Sequence, residues 1–101
     1  MIKILFFASE NCDNCNIVLG LLKKHEIVAK TNFEYIDALS DGMQDFCDEH
    51  NVDLLPHIKV FSDNDIVYEK RGIFNPEKLK NKIEEIKKSE TKMKNIFKLG
   101  K

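Results

Sequence analysis

Cys12 and Cys15 are separated by two residues, directly after an apolar run and at the start of a predicted helix. Residues at positions i and i+3 lie on the same side of a helical turn, so the two sulfur atoms can reach each other to form a disulfide. Unpaired N–H groups and the positive end of the helix dipole stabilise a thiolate at this position. Because thiolate is the species that attacks disulfides, the pattern predicts reversible thiol–disulfide chemistry with Cys12 as the attacking residue.

Half of a zinc site is the competing interpretation of this cysteine pair. A zinc knuckle needs a second pair of Cys or His residues at a similar spacing. The Cys and His residues that follow the second predicted strand are Cys47, His50 and His57, and their spacing matches none of the common zinc patterns. Cys47 also shares an apolar helical stripe with Met43 and Phe46, which favours a small buried side chain. The sequence therefore favours redox chemistry, and neither a metal nor a cofactor is predicted.

The elements around the cysteines follow from hydrophobic patterning. Ile2 to Phe7 is a β-favouring apolar run, typical of a central strand that is covered on both faces. A helix is predicted from about Asp13 to His25, followed by an alternating strand at residues 33–37. The next helix is predicted to begin at Asp41 as its N-cap, with Gln44 at the capping-box position.

The second half of the sequence predicts a hairpin and a closing helix. Strands at residues 58–61 and 66–69 are separated by four polar, turn-forming residues. Asn75 and Pro76 supply an N-cap and a first helical residue, and the helix stripe consists of Leu79, Ile83 and Ile86. The order βαβαββα, with a right-handed crossover after the first strand, predicts an α/β fold: three layers around a mixed four-stranded sheet.

Length and charge bound the possible functions. The chain has 101 residues, enough for one domain, and a net charge of −1, so no overall field attracts nucleic acid or a membrane. Residues 87–101 carry +5, which leaves −6 on the rest. We therefore divide the chain into a domain at 1–88 and a basic C-terminal tail at 89–101. The apolar start lacks the features of a signal peptide, so we expect a cytoplasmic protein. We also expect it to be a monomer.

From Ile2 to about Lys87 the sequence resembles thioredoxins and their small glutaredoxin-like relatives. The resemblance rests on the stretch from Phe6 to Cys15, on a strand ending in Tyr35-Ile36-Asp37, and on the run FCDEHNVDLLPHIKVF from Phe46 to Phe61. It implies a thioredoxin-like fold and a cis peptide bond at Pro56, which packs beside the cysteines. It also implies that the backbone of Leu55 pairs with an incoming substrate strand.

The resemblance also assigns site residues and shows departures. Leu55, Pro56 and His57 are the expected substrate-binding residues, and His57 either tunes Cys12 or points to solvent. Asn11 replaces the family's Trp, Asp13-Asn14 replace Gly-Pro between the cysteines, and Phe6 replaces a buried acid of thioredoxins.

The predicted function is reduction of protein disulfides by a dithiol that an upstream reductase regenerates. Glutathione is the less favoured partner, because Gly72 is followed by Ile73-Phe74 rather than by a second Gly and an acidic N-cap. The alternative function is a non-catalytic binding module of the same fold that uses its basic tail.

Overall fold

The computed structural model describes the backbone of residues 2–99 and the side chains of residues 2–89, and contains four strands and four helices in that range. The elements are β1 (Ile2–Ala8), α1 (Asp13–Lys24), α2 (Ile27–Lys30), β2 (Asn32–Asp37), α3 (Gln44–Glu49), β3 (His57–Ser62), β4 (Asp65–Arg71) and α4 (Pro76–Leu99). The one-turn helix α2, which was not predicted, buries Ile27 in the core at 2% exposure.

The four strands form one sheet in the order β2-β1-β3-β4. β1 pairs in parallel with β2 and antiparallel with β3, and β3 pairs antiparallel with β4. The helical crossover makes the pair parallel. It carries the chain from the carboxyl end of β1 back to the end of the sheet where β1 begins, so β2 runs in the same direction as β1. The predicted α/β fold with a mixed four-stranded sheet is confirmed.

The central strand β1 contributes to an apolar cluster on each face of the sheet. Phe6 packs with residues of α1 and α4 in a cluster that we call the α1-side core, formed by Ile2, Ile4, Phe6, Ala8, Cys15, Val18, Leu22, Ile27, Ile58, Val60, Leu79 and Ile83. Phe7 packs on the opposite face in the α3-side core, formed by Leu5, Phe7, Ile36 and Cys47. Each buried Phe stabilises the fold by roughly 1.5–3 kcal/mol. Because both faces of β1 are buried, its sequence is apolar except for the exposed Lys3.

The two predicted helix caps have different outcomes. The predicted cap of α3 at Asp41 is wrong, because Met43 occupies the N-cap position and makes no side-chain cap hydrogen bond. A backbone turn occurs there instead, in which Met43 N–H donates to the Ser40 carbonyl at 3.2 Å. The cap of α4 is confirmed, since Asn75 Oδ1 accepts a hydrogen bond from Glu77 N–H at 3.0 Å.

Helix α4 continues across the proposed boundary between residues 88 and 89, as far as Leu99. Within the domain, Leu79 and Ile83 are buried and Ile86 packs against the α1-side core. The apolar side chains suggested for a further turn, Met93, Ile96 and Phe97, lie outside the described side chains. The division into domain and tail stays a prediction. Along the described part of the chain, no helix is both long enough and apolar enough to span a membrane.

Ending the chain at Lys88 is expected to leave the melting temperature almost unchanged. The α4 residues up to Ile86 already contribute a complete apolar stripe to the α1-side core. We expect thermal unfolding, followed by circular dichroism, to change by less than about 4 °C, since roughly 1 kcal/mol shifts a domain of this size by 4–8 °C. A decrease of 10 °C or more would show that Met93, Ile96 and Phe97 pack against the domain.

Candidate active site

A tight turn carries the chain from the end of β1 to the first cysteine. Ala8 ends the strand, and Cys12 N–H donates to the Ser9 carbonyl at 3.1 Å, which closes the turn. The amide of Asn16 reaches back to the Glu10 carbonyl at 3.1 Å. These bonds fix the start of α1 relative to the sheet, so that Cys12 lies at the carboxyl end of the central strand.

Cys12 is the N-cap residue of α1, and Cys15 lies one turn further along. Cys12 has an extended backbone conformation, and its sulfur accepts a hydrogen bond from Cys15 N–H at 3.1 Å. The two residues form a disulfide, with their Cα atoms 5.2 Å apart. Cys12 is half-buried, whereas Cys15 is 1% exposed within the α1-side core. The two sulfur atoms therefore differ in their access to solvent and in their electrostatic surroundings.

The Leu55–Pro56 peptide bond is cis, as the resemblance implied. Pro56 is buried, and Leu55 packs against the same apolar cluster that Cys12 and Cys15 contact. The carbonyl of Pro56 accepts a hydrogen bond from Gly72 N–H at 2.7 Å, which ties the segment before β3 to the end of β4. Of the predicted site residues, the structure thus brings Cys12, Cys15, Leu55 and Pro56 to the end of the sheet where β1 finishes and β3 begins.

A cavity of ≈ 330 Å³ lies beside Leu55 on the α3 side. Its lining combines apolar and acidic side chains from three segments: Ala38, Leu39, Gln44, Cys47, Asp48, Val52, Asp53, Leu54 and Leu55. Leu39 and Leu54 are 73% and 54% exposed, so apolar surface extends from the cavity into solvent. Cys47 is the buried residue that the sequence predicted, at 7% exposure on the cavity wall. Burial and the charge of Asp48 raise the pKa of its thiol.

Of the two alternatives that the sequence left open for His57, exposure to solvent is excluded by the structure. Its side chain is 0% exposed. It is the cross-strand partner of Phe7, and the two rings lie 5.7 Å apart on the α3 face of the sheet. Cys15 packs with Phe6 on the opposite face. Alternation along β1 and β3 therefore separates the His57 ring from the cysteines, which removes the basis for a direct effect on Cys12.

His57 lies in a polar network on the α3 face. Its Nε2 atom is 2.6 Å from Glu69 Oε2, and its buried Nδ1 atom has no hydrogen-bond partner among the described residues. A charged imidazole would place an unpaired N–H at Nδ1, so we assign the neutral ring with Nε2–H donating to Glu69. Burial lowers the pKa of His57, and this effect outweighs the hydrogen bond to Glu69.

Neighbouring groups complete this network. Lys59 Nζ lies 3.3 Å from His50 Nδ1, and burial, followed by the charge of Lys59, lowers the pKa of His50. Burial alone would raise the pKa of Glu69, but its hydrogen bond with His57 and the charges of Lys59 and Arg71 hold that pKa below its usual value.

Sequence reasoning missed Glu69 and Arg71 as residues near the site. Both lie on β4, directly across from Lys59 and His57 of β3. The available signal was the alternation along β4 together with two basic residues at matching positions of β3. That signal becomes usable only when the pairing register is known, and the register contains an irregularity between Val60 and Phe61.

Acidic residues flank Cys12 in the sequence and lie near Tyr35 at the end of β2. Glu10 and Asp13 are exposed on either side of Cys12. Asp37 and Glu10 both act on Tyr35: burial, then the charge of Asp37, then that of Glu10 raise the pKa of this phenol. This edge of the sheet is therefore negatively charged. Within residues 2–89, no three His, Cys, Asp or Glu side chains come together as a candidate metal site.

Comparison with known proteins identifies the fold. Thioredoxin 1 from Thermosipho africanus superposes with a TM-score of 0.73 at 17% identity, over 88% of this chain and 98% of that one. Mitochondrial thioredoxin 3 from Saccharomyces cerevisiae, in its oxidised form, gives a TM-score of 0.66 at 21% identity over 83% and 77%. Thioredoxin O2 from Arabidopsis thaliana, also oxidised, gives 0.71 at 16% over 84% and 74%. No family model and no curated protein matches the sequence. The chain has the thioredoxin fold, as the resemblance implied.

In the reduced protein, limiting iodoacetamide at pH 7 is expected to label Cys12 at least about tenfold faster than Cys15, as the alkylated species is the thiolate. Cys12 is half-buried at the helix N-terminus, whereas Cys15 is buried in an apolar cluster. Desolvation at Cys15 favours the protonated thiol. Peptide mapping by mass spectrometry measures both rates, and Cys47, which lies on the cavity wall, is an internal comparison. Equal labelling of Cys12 and Cys15 would contradict the helix-terminus account.

Stability is expected to fall as the pH decreases below about 6.5, the ordinary pKa of histidine. The pKa values of His50 and His57 are lowered in the folded protein, so the unfolded chain takes up protons that the native protein does not. Each such histidine adds at most about 1.4 kcal/mol per pH unit to the decrease in the free energy of unfolding. The lowered pKa of Glu69 adds a further loss below about pH 4.5.

Urea unfolding at a series of pH values between 5 and 8 measures this dependence, and His57→Gln isolates one contribution. Glutamine can still donate to Glu69 but does not titrate, so the variant is expected to have a shallower slope than the wild type. Identical slopes would show that the pKa of His57 is the same in the folded and the unfolded protein, which would contradict the lowered pKa.

Proposed function

We propose that the chain is a thiol–disulfide oxidoreductase that reduces protein disulfides. The observation that carries the proposal is a half-buried Cys12 at a helix N-cap, bonded to a buried Cys15, on the same edge as the cis Leu55–Pro56 bond. The fold supports it, since the superposed structures bear the name thioredoxin.

The reaction consists of two exchange steps. In the first, the Cys12 thiolate attacks one sulfur of the substrate disulfide, the S–S bond breaks, and the leaving thiolate takes a proton from solvent. The mixed disulfide then reacts with Cys15, which loses its proton and attacks the Cys12 sulfur. The second substrate sulfur leaves as a thiolate, and two electrons have passed from the dithiol to the substrate.

Substrate binding in this proposal uses the segment before β3. The backbone of Leu55 hydrogen-bonds with an extended substrate segment, and the neighbouring cavity accepts apolar side chains of that segment. Exposed Leu39 and Leu54 at the cavity mouth support this placement. Pro56 shapes the edge, and His57 contributes from the opposite face through Glu69 rather than by contact with the cysteines.

An upstream reductase of the cytoplasm regenerates the dithiol, with glutathione as the less favoured electron donor.

A non-catalytic binding module is the second candidate function. It is supported by Phe6, which is fully buried in the cluster with Cys15 at the position where thioredoxins keep an acid, and by Asn11 in place of Trp. Such a module would keep the disulfide as a structural bond and bind its partner through the basic tail.

Reduction of insulin in the presence of dithiothreitol distinguishes the two candidates. The wild type is expected to accelerate precipitation, and Cys12→Ser to abolish the acceleration because no attacking thiolate remains. Cys15→Ser still attacks but cannot complete the second step, so it accumulates a mixed disulfide that mass spectrometry detects. Cys47→Ala is the matched control for loss of a thiol and is expected to form and resolve the mixed disulfide, because Cys47 takes part in neither exchange step. A wild type that performs no better than dithiothreitol alone would favour the binding module.

The reduction potential is expected to lie near ~−270 mV, the thioredoxin value, rather than near ~−120 mV, the value of strongly oxidising relatives. Exposed Glu10 and Asp13 oppose the stabilisation of the Cys12 thiolate by the helix. His57 is hydrogen-bonded to Glu69 on the other face and adds no positive charge at the cysteines. Equilibration with glutathione buffers measures the potential, and Asp13→Asn is expected to raise it. A wild-type value above about −200 mV would contradict this account.

A further inference from the structure

The segment from Asn51 to Leu55 contains no regular secondary structure, although it precedes the proposed substrate-binding bond. Its first turn is held by Val52 N–H, which donates to the Cys47 carbonyl at 2.9 Å. Just beyond its other end, the Pro56 carbonyl is held by Gly72 N–H at 2.7 Å. Asp53 and Leu54 between these points are exposed, so the position of this segment depends on side-chain contacts.

Arg71 supplies those contacts from the end of β4. Its Nε atom lies 3.3 Å from Asp53 Oδ1, and its Nη2 atom donates to the Asn51 carbonyl at 3.4 Å. The same guanidinium lies 3.7 Å from Glu69 Oε2. A single exposed ion pair of this kind stabilises little, but one guanidinium with three partners is restricted in orientation by all of them.

Glu69 is the common partner of the groups behind the segment. Its carboxylate accepts the hydrogen bond from His57, the residue after Pro56, at 2.6 Å, and lies 4.0 Å from Lys59 Nζ. His57 and Lys59 are 0% and 6% exposed, while the Glu69 side chain is 30% exposed. One carboxylate therefore connects the start of β3, through His57, with the segment before it, through Arg71.

We infer that Glu69 is a positioning residue for substrate binding in the proposed disulfide exchange. It holds His57 on one side of the cis bond and orients Arg71 towards Asn51 and Asp53 on the other. The Leu55 backbone is thereby presented in a fixed conformation to the extended substrate segment. This role deepens the proposed function and rests on it. Glu69 touches neither the cysteines nor the substrate, so it acts through the two residues that it binds.

The test compares a substrate disulfide that must bind along the backbone of Leu55 with a small disulfide that need not. In the proposed function insulin pairs with the backbone of Leu55, whereas 5,5′-dithiobis(2-nitrobenzoic acid) is small and reacts directly with the Cys12 thiolate. For Glu69→Ala, the KM for insulin is expected to rise about fivefold to tenfold with kcat little changed, which is the signature of lost binding. The rate with the small disulfide is expected to stay within about twofold of the wild type, because Cys12 is untouched.

Two further variants separate positioning from a general loss of stability. Glu69→Gln keeps an acceptor for His57 but loses the charge that orients Arg71, so its KM is expected to lie between those of the wild type and Glu69→Ala. Arg71→Gln removes the contacts with Asn51 and Asp53 and is expected to raise KM as well. Glu34→Ala, which removes a carboxylate paired with Lys3 at 3.8 Å on the β1–β2 side, is the matched control. All assays are run well below the melting temperature of each variant.

The outcomes distinguish this inference from the proposed function. A wild type that reduces neither disulfide refutes the function. An active wild type, with Glu69 and Arg71 variants that have unchanged KM for insulin, refutes the positioning role alone, whatever their melting temperatures. An equal loss of rate with both disulfides would show that Glu69 affects Cys12 itself. That result would also refute the positioning role. A selective rise in KM for insulin, graded from Gln to Ala and absent in Glu34→Ala, supports it.

Discussion

The position of β1 between a parallel and an antiparallel neighbour is the constraint on which the site depends. The parallel pair with β2 brings the carboxyl ends of both strands to one edge, where Ala38 N–H donates to the Ala8 carbonyl at 2.9 Å. The antiparallel pair with β3 brings the amino end of β3 to that same edge. Cys12 after β1 and Pro56 before β3 are 44 positions apart in sequence but adjacent in the sheet. A different strand order would separate them.

The two faces of the sheet divide the chemistry of this edge. On the α1 face, Cys15 lies among apolar side chains, with the half-buried Cys12 at its border. On the α3 face, His57, Lys59 and Glu69 form a polar network that reaches the same cis bond from behind. Strand alternation enforces this division, because neighbouring residues of β3 must point in opposite directions. In the proposed function, charge changes in the network can therefore alter substrate binding while the cysteines keep their surroundings.

The sequence predicted the fold because its strongest signals are local or periodic. The apolar run of β1, the CxxC pair before a helix and the Asn75 cap each depend on a few adjacent residues, and the structure agrees with all three. The orientation of His57 could not be decided from sequence, because it depends on which face of β3 lies opposite Phe7, a property of pairing between distant segments. The contacts of Glu69 and Arg71 were missed for the same reason: an acid and a base on a short strand are ordinary until the register places them beside His57 and Lys59.

The replacement of the family's buried acid by Phe6 has a consequence for the proposed exchange. Cys15 must lose its proton before it attacks the mixed disulfide, and an apolar setting favours the thiol. Phe6 is fully buried in the cluster that contains Cys15, so the position where thioredoxins keep an acid offers no proton acceptor. In the proposed scheme the proton of Cys15 therefore passes to solvent before the attack, and the substrate sulfur that leaves afterwards takes up a proton from solvent. Because a less basic thiolate leaves faster, such a site favours substrates whose second sulfur leaves as a thiolate of low pKa, which lowers the demand on the Cys15 nucleophile.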